Sequence, residues 1–135
     1  MEGTPIGMTM LRNGTYLGEC LVDCNEEIAV TPEKVTYSLT SNVPDADRPD
    51  VHAEGPVTRS EWEQLTGAID SEALRSLPET IGQPDAADSG GEFLEVSDGA
   101  RRRVDFELDA AVPEVAPLLD ALRELRARLA HQHRR

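Results

Sequence analysis

Three carboxylates, Asp45, Asp47 and Asp50, fall within one short Pro- and Asp-rich stretch, a grouping that suits a hard cation. A calcium loop further needs a sharp glycine turn and a bidentate glutamate at its twelfth position. Counted from Asp45, the twelfth residue is Pro56, and the middle of the stretch holds no glycine. The three acids therefore read as a solvated loop. Cys20 and Cys24 could bind zinc together with His52, His131 or His133. Against this, the cysteines lack the usual two-residue gap, and the two tail histidines do not share a helix face. Acids for glycoside hydrolysis are plentiful, yet the aromatic residues that would line a sugar cleft make up only 4% of the chain. No serine sits in a nucleophile elbow. Gly90-Gly91 leads into a strand rather than a helix N-terminus, so it cradles no phosphate. No catalytic residue, metal or cofactor is expected.

Cys20 and Cys24 are the only two cysteines. On an extended strand, residues four apart lie about 13 Å from one another, beyond disulfide reach. A bridge needs a tight turn between them. The segment Met1 to Met10 has no basic start followed by an apolar run, so it is not a secretion signal. The expectation is a reduced thiol pair and a cytoplasmic location, with a disulfide as the alternative.

The net charge of −13 is unevenly spread: the first hundred residues hold 5 basic and 20 acidic side chains, the remainder 8 and 6. Such a surface repels phosphate, which excludes nucleic acid and anionic membranes as partners and steers a basic protein surface toward the chain. No apolar run approaches the roughly 18 residues of a membrane span. Hydrophobic residues reach 39%, but fourteen are alanine, so one modest core is expected.

The elements that must position these residues follow from periodicity. Ile6, Met8 and Met10 alternate with smaller residues and run toward Asn13-Gly14, the strongest short hairpin signal. A two-residue turn there would pair Met10 with Leu17 and Ile6 with Leu21. Ile28 and Val30, the turn Thr31-Pro32-Glu33, and alternating Val35, Tyr37 and Leu39 complete four hairpin-joined strands over residues 5–41. Residues 42–56 show no period and read as an acidic loop. Thr58 with Glu61 forms a capping box and Val57 staples onto Trp62. Trp62, Leu65 and Ile69 then stripe a helix near 58–70. A short turn from Ser71 to Leu77 ends at Pro78.

Leu94, Val96, Val104, Phe106 and Leu108 share one face of a second hairpin if its loop has three residues, placed at Ser97-Asp98-Gly99. Val115, Leu118, Leu122, Leu125 and Leu129 stripe a final helix over 115–131, and residues 132–135 form a basic tail. Arg123, Arg126 and Arg128 crowd the C-terminal half of that helix, where they suit its dipole. Together these predict a single α+β domain over 1–135: an antiparallel sheet built from hairpins, with two main helices on one face.

Arg101-Arg102-Arg103 is a basic run that Glu92 and Glu95 can neutralise across the hairpin, so a solvated strand face is expected. The same register puts Phe93 on the charged face, as a contact residue unless the loop before it covers it. Asp85 and Asp88 in that loop join Asp45, Asp47, Asp50 and Phe93 as candidate partner contacts.

The stretch Ile81-Gly82-Gln83-Pro84-Asp85-Ala86-Ala87-Asp88-Ser89-Gly90-Gly91-Glu92-Phe93 resembles the loop of a family of small bacterial proteins of unassigned function. Their pattern is Ile-Gly-Cys-Pro-Asp-Cys-Ala-Asp-Gly-Gly-Ala-Glu-Trp. This chain keeps Ile81, Gly82, Pro84, Asp85, Ala87, Asp88 and Gly90, but has Gln83 and Ala86 at the two cysteine positions, so the resemblance implies no redox or metal role for this loop. The likeness extends to Trp62-Glu63-Gln64-Leu65, Leu77-Pro78, Val104-Asp105-Phe106 and the final Leu-rich helix. A second resemblance is to the emfourins, small protein inhibitors of thermolysin-type metalloproteases. Asn13-Gly14-Thr15-Tyr16-Leu17-Gly18 is similar to their Gly-Gly-Phe-Ala-Gly stretch, and the order of Leu-Pro segment, Gly-turn hairpin and Leu-rich helix is shared. That resemblance implies a non-catalytic module whose protein partner is a metalloprotease, and it carries no inhibitory residue across. The alternative is a metal- or redox-linked protein acting through Cys20 and Cys24.

Overall fold

The computed structural model of the chain describes residues 7–84 and 90–134. Asp85 and Asp88 lie outside the described residues. The fold is α+β. Its strands are β1 (Met10–Tyr16), β2 (Asn25–Val30), β3 (Lys34–Thr40), β4 (Val51–Pro56), β5 (Gly91–Ser97) and β6 (Arg101–Glu107). Its helices are α1 (Arg59–Gly67), α2 (Ser71–Ser76) and α3 (Ala116–His133). The strands form one antiparallel sheet in the order β4-β3-β2-β1-β5-β6, so β1 and β5, distant in sequence, pair in its interior.

Alternation decides which face each side chain takes. Leu11, Ile28, Val30, Val35, Tyr37, Leu39, Leu94, Val96, Val104 and Phe106 point to one side. There they meet Trp62, Leu74 and Leu77 and the α3 stripe of Leu118, Leu119, Leu122 and Leu129. The capping box at α1 forms as its sequence requires: Glu61 N–H donates to Thr58 Oγ1 at 3.1 Å and Thr58 N–H to Glu61 Oε1 at 2.7 Å. The β5–β6 hairpin has the parity that keeps Leu94, Val96, Val104 and Phe106 together. Its three-residue loop is Asp98-Gly99-Ala100, one residue later than expected, so Leu94 faces Val104.

Two expectations are corrected. Asn13-Gly14 is not a turn but the middle of β1, paired on both sides, with Asn13 opposite Ile28 and Leu94. Gly14 is needed there for closeness, not for turning. A Cβ on it would come within 2.6 Å of Glu27 Cβ and 2.8 Å of Phe93 Cε1. Residues 42–56 are not all loop either, because Val51–Pro56 forms β4 against β3. As an edge strand with one face to solvent it carries His52 and Glu54 without an apolar period, and its proline sits at the strand end, where no ladder bond is lost.

Candidate functional site

Two polar or apolar clusters stand out from the scaffold, one sealed beneath α3 and one exposed at the end of the sheet where β1 runs into β2.

The sealed cluster centres on Glu92, which is 0% exposed. Arg123 grips both its oxygens, at 2.8 and 2.7 Å, and Asn13 Nδ2 and the Asp109 N–H each donate at 3.1 Å. Arg126 adds a contact at 3.3 Å and also donates to Asn13 Oδ1. The network continues to Glu26, which accepts from Tyr37 at 2.6 Å and pairs with Arg134 at 3.0 Å. Burial pushes the Glu92 carboxyl up, but the hydrogen bonds from Arg123 and Asn13 and the charges of Arg123 and Arg126 outweigh it and hold it below the usual carboxylate range. Burial, followed by the bond to Glu26, pushes the Tyr37 hydroxyl up to about 12. The lone pairs of Glu92 are thus taken by five donors from within the fold. The cluster is a clamp that docks α3 on the sheet, not a place for substrate.

The expected role of Arg123 and Arg126 at the helix dipole is therefore corrected: they turn inward. The signal was legible, since Arg126 lies four residues after Leu122 and Arg123 four after Leu119, on the buried stripe. Likewise Glu92 shares the parity of Leu94 and Val96, so it could not have neutralised Arg101 and Arg103 on the opposite face. Glu95 does so for Arg101, 3.9 Å away, and also accepts from Arg12 of β1 at 3.0 Å. Arg103 pairs with Asp105 at 2.8 Å, while Arg102 reaches the Leu77 carbonyl.

Phe93 is corrected as a contact residue. It is only 4% exposed, because its ring fills the space left by Gly14 and lies between the guanidinium of Arg12, 5.1 Å from its centroid, and that of Arg103, at 4.0 Å.

The exposed cluster is built from two loops, residues 17–24 and 41–50. Cys20 and Cys24 form a disulfide, against the expectation of free thiols. The physical reason is the turn between them: Asp23 takes the left-handed conformation, φ 55°, and brings the two Cα atoms to 5.7 Å. The loop is anchored at its ends, Leu17 N–H donating to Cys24 O at 3.1 Å and Cys24 N–H to Thr40 O at 2.8 Å. The second loop is sewn to the first. Asn42 and Val43 N–H both donate to Leu21 O at 3.0 Å, Asn42 Nδ2 donates to Cys20 O at 2.8 Å, and Arg48 grips Asp23 at 2.6 Å. Asp45 Oδ1 accepts from the N–H groups of Asp47 and Arg48, and Asp50 Oδ1 accepts from Ser41 N–H.

The result is a tip whose acids shape its backbone and whose apolar residues are left uncovered. Among the described residues the large hydrophobic side chains that stand exposed are Leu17 at 37%, Leu21 at 65% and Val43 at 46%, all on these two loops. Leu17 also overhangs Gly90, where a Cβ would meet Leu17 Cδ2 at 2.5 Å. A shallow hollow of about 350 Å³ lies in the second loop, beside Asp45, Arg48 and Asp50. A larger groove of about 420 Å³ runs between α1 and α3, but its Glu61 is committed to the Thr58 cap, and Asp120 and Glu124 are ordinary charges of an exposed helix face.

Of the predicted site residues, the structure brings together Cys20, Cys24, Asp45, Asp47 and Asp50 and separates Phe93 from them. His52 is on β4, and His133 stacks on Tyr37 at 6.3 Å. Among the described residues no group of three or more His, Cys, Asp or Glu is placed to hold a metal, and no helix is long and apolar enough to cross a membrane. Compared with known protein families and with curated proteins, the chain matches none.

Proposed function

We propose that this chain is a non-catalytic protein-binding module that acts through the bridged tip formed by residues 17–24 and 41–50. One observation carries the reading: the exposed large apolar side chains gather on two loops fixed by a disulfide and by hydrogen bonds. Apolar residues collected at one rigid point are a recognition feature, whereas single exposed ones scattered over a surface are not. Rigidity helps, since little loop freedom is lost on binding.

The sharpest form of this reading is inhibition of a thermolysin-type metalloprotease, which rests on the emfourin resemblance. The test is titration of the chain into such a protease while substrate cleavage is followed. Stoichiometric inhibition with the chain left intact is the expected result, and its loss in Leu21→Ser/Val43→Ser assigns it to the tip. Failure to inhibit several such proteases removes the inhibitor form.

A redox-linked reading has the Cys20–Cys24 bond itself in its favour. A bond that persists in the cell belongs to an oxidising compartment rather than the expected cytoplasm. Replacing both cysteines by serine separates the two readings, because retained binding excludes a redox role.

A further inference from the structure

Building on the reading of the tip as a binding surface, we infer that its partner is a protein surface with an apolar hollow edged by lysine and arginine. The centre of the tip is Leu21 and Val43, brought side by side because Val43 N–H bonds to Leu21 O. Around them, residues 17–24 and 41–50 carry five acids (Glu19, Asp23, Asp45, Asp47 and Asp50) against one base, Arg48. That one cation is already held by Asp23 in a two-armed contact at 2.8 and 2.6 Å. The free edge of the tip is therefore anionic, with Glu19, Asp47 and Asp50 exposed. An apolar centre within a charged rim is the arrangement in which the centre supplies binding strength and the rim supplies selection and approach rate.

The same charge excludes a second copy of this chain as the occupant. The α1–α3 groove is the concave apolar surface it could offer, but that groove is edged by three acids, Glu61, Asp120 and Glu124, against one base, Arg128. Acid would meet acid there, between two chains of net charge −13.

The experiment is selection of a random peptide library on immobilised wild-type chain after depletion on the Leu21→Ser/Val43→Ser variant, both first shown to be folded and disulfide-bonded. The expected peptides combine apolar residues with Lys or Arg and bind the wild type about tenfold or more tighter than the depleted variant. Their affinity should fall when salt shortens the Debye length from about 10 Å to about 3 Å. It should fall also in Asp47→Asn/Asp50→Asn, which keeps the Asp50 acceptor to Ser41. Enrichment of tip-dependent peptides that are neutral or acidic would overturn the partner chemistry while leaving the tip as the binding surface. If nothing enriched depends on the tip, both the inference and the reading beneath it fail.

Discussion

Three residues of chain separate Asn13, sealed in the polar clamp beneath α3, from Leu17, where the exposed apolar tip begins. The two regions invert the usual placement. In the clamp, Glu92, Arg123 and Arg126 are drawn out of water, and each is matched by partners from β1, β5 and α3. At the tip, Leu21 and Val43 are held in water by loops that a disulfide and several hydrogen bonds keep from folding over them. A buried charge tolerates no missing partner, whereas an exposed leucine can be removed with little consequence for folding. Stability and the proposed recognition surface are thus located apart, and each should be open to perturbation without the other.

The largest effect is expected at the clamp. Arg123→Ala leaves the fully buried Glu92 carboxylate short of its main partner and should cost about 3–5 kcal/mol of unfolding free energy, read from urea denaturation. The same pair sets a pH signature. Because the folded Glu92 pKa lies below its unfolded value, its contribution is present above the ordinary glutamate range and is lost as pH falls through the folded pKa. Glu92→Gln should flatten that acid limb. Tyr37 has the opposite sign: with its hydroxyl raised to about 12, its contribution is present below the ordinary tyrosine value of about 10 and is lost as pH rises through the folded one. Tyr37→Phe should flatten the alkaline limb.

Removing the tip's covalent clip should cost less. Cys20→Ser/Cys24→Ser opens a short loop, for which chain entropy gives about 2 kcal/mol. Hydrogen exchange should quicken at the amides of Asn42 and Val43, which lean on Leu21, while the Asp109 amide bound to Glu92 stays protected. Smaller again is Thr58→Ala, which removes half of the α1 capping box at about 1 kcal/mol and should leave both regions untouched. A thermal melt checks it.

The sequence made the scaffold legible wherever local pattern and burial agree. The α1 cap, the α3 stripe and the parity of Leu94, Val96, Val104 and Phe106 were all readable, because each is fixed by residues close in the chain or by strict period. Asn13-Gly14 misled because its turn chemistry is real, yet the pairing of β1 with β5, some eighty residues away, overrides it and uses the missing Cβ to seat Phe93. β4 was hidden because an edge strand with one wet face and small residues has little apolar period. The acids of the tip were singled out, but as a group of charges. What assembled the site were the Asn42 and Val43 bonds to Leu21, contacts between segments about twenty residues apart that no local pattern shows.

The smallest predicted effect is the most telling. If Leu21 and Val43 serve contact and not folding, as proposed, the unfolding free energy of Leu21→Ser/Val43→Ser measures this directly. A value within about 0.5 kcal/mol of wild type is the prediction, as for surface positions without packing partners. A loss of about 2 kcal/mol or more, the scale of uncovering a packed Leu or Val, would show that these side chains belong to the core and contradict the tip as a binding surface.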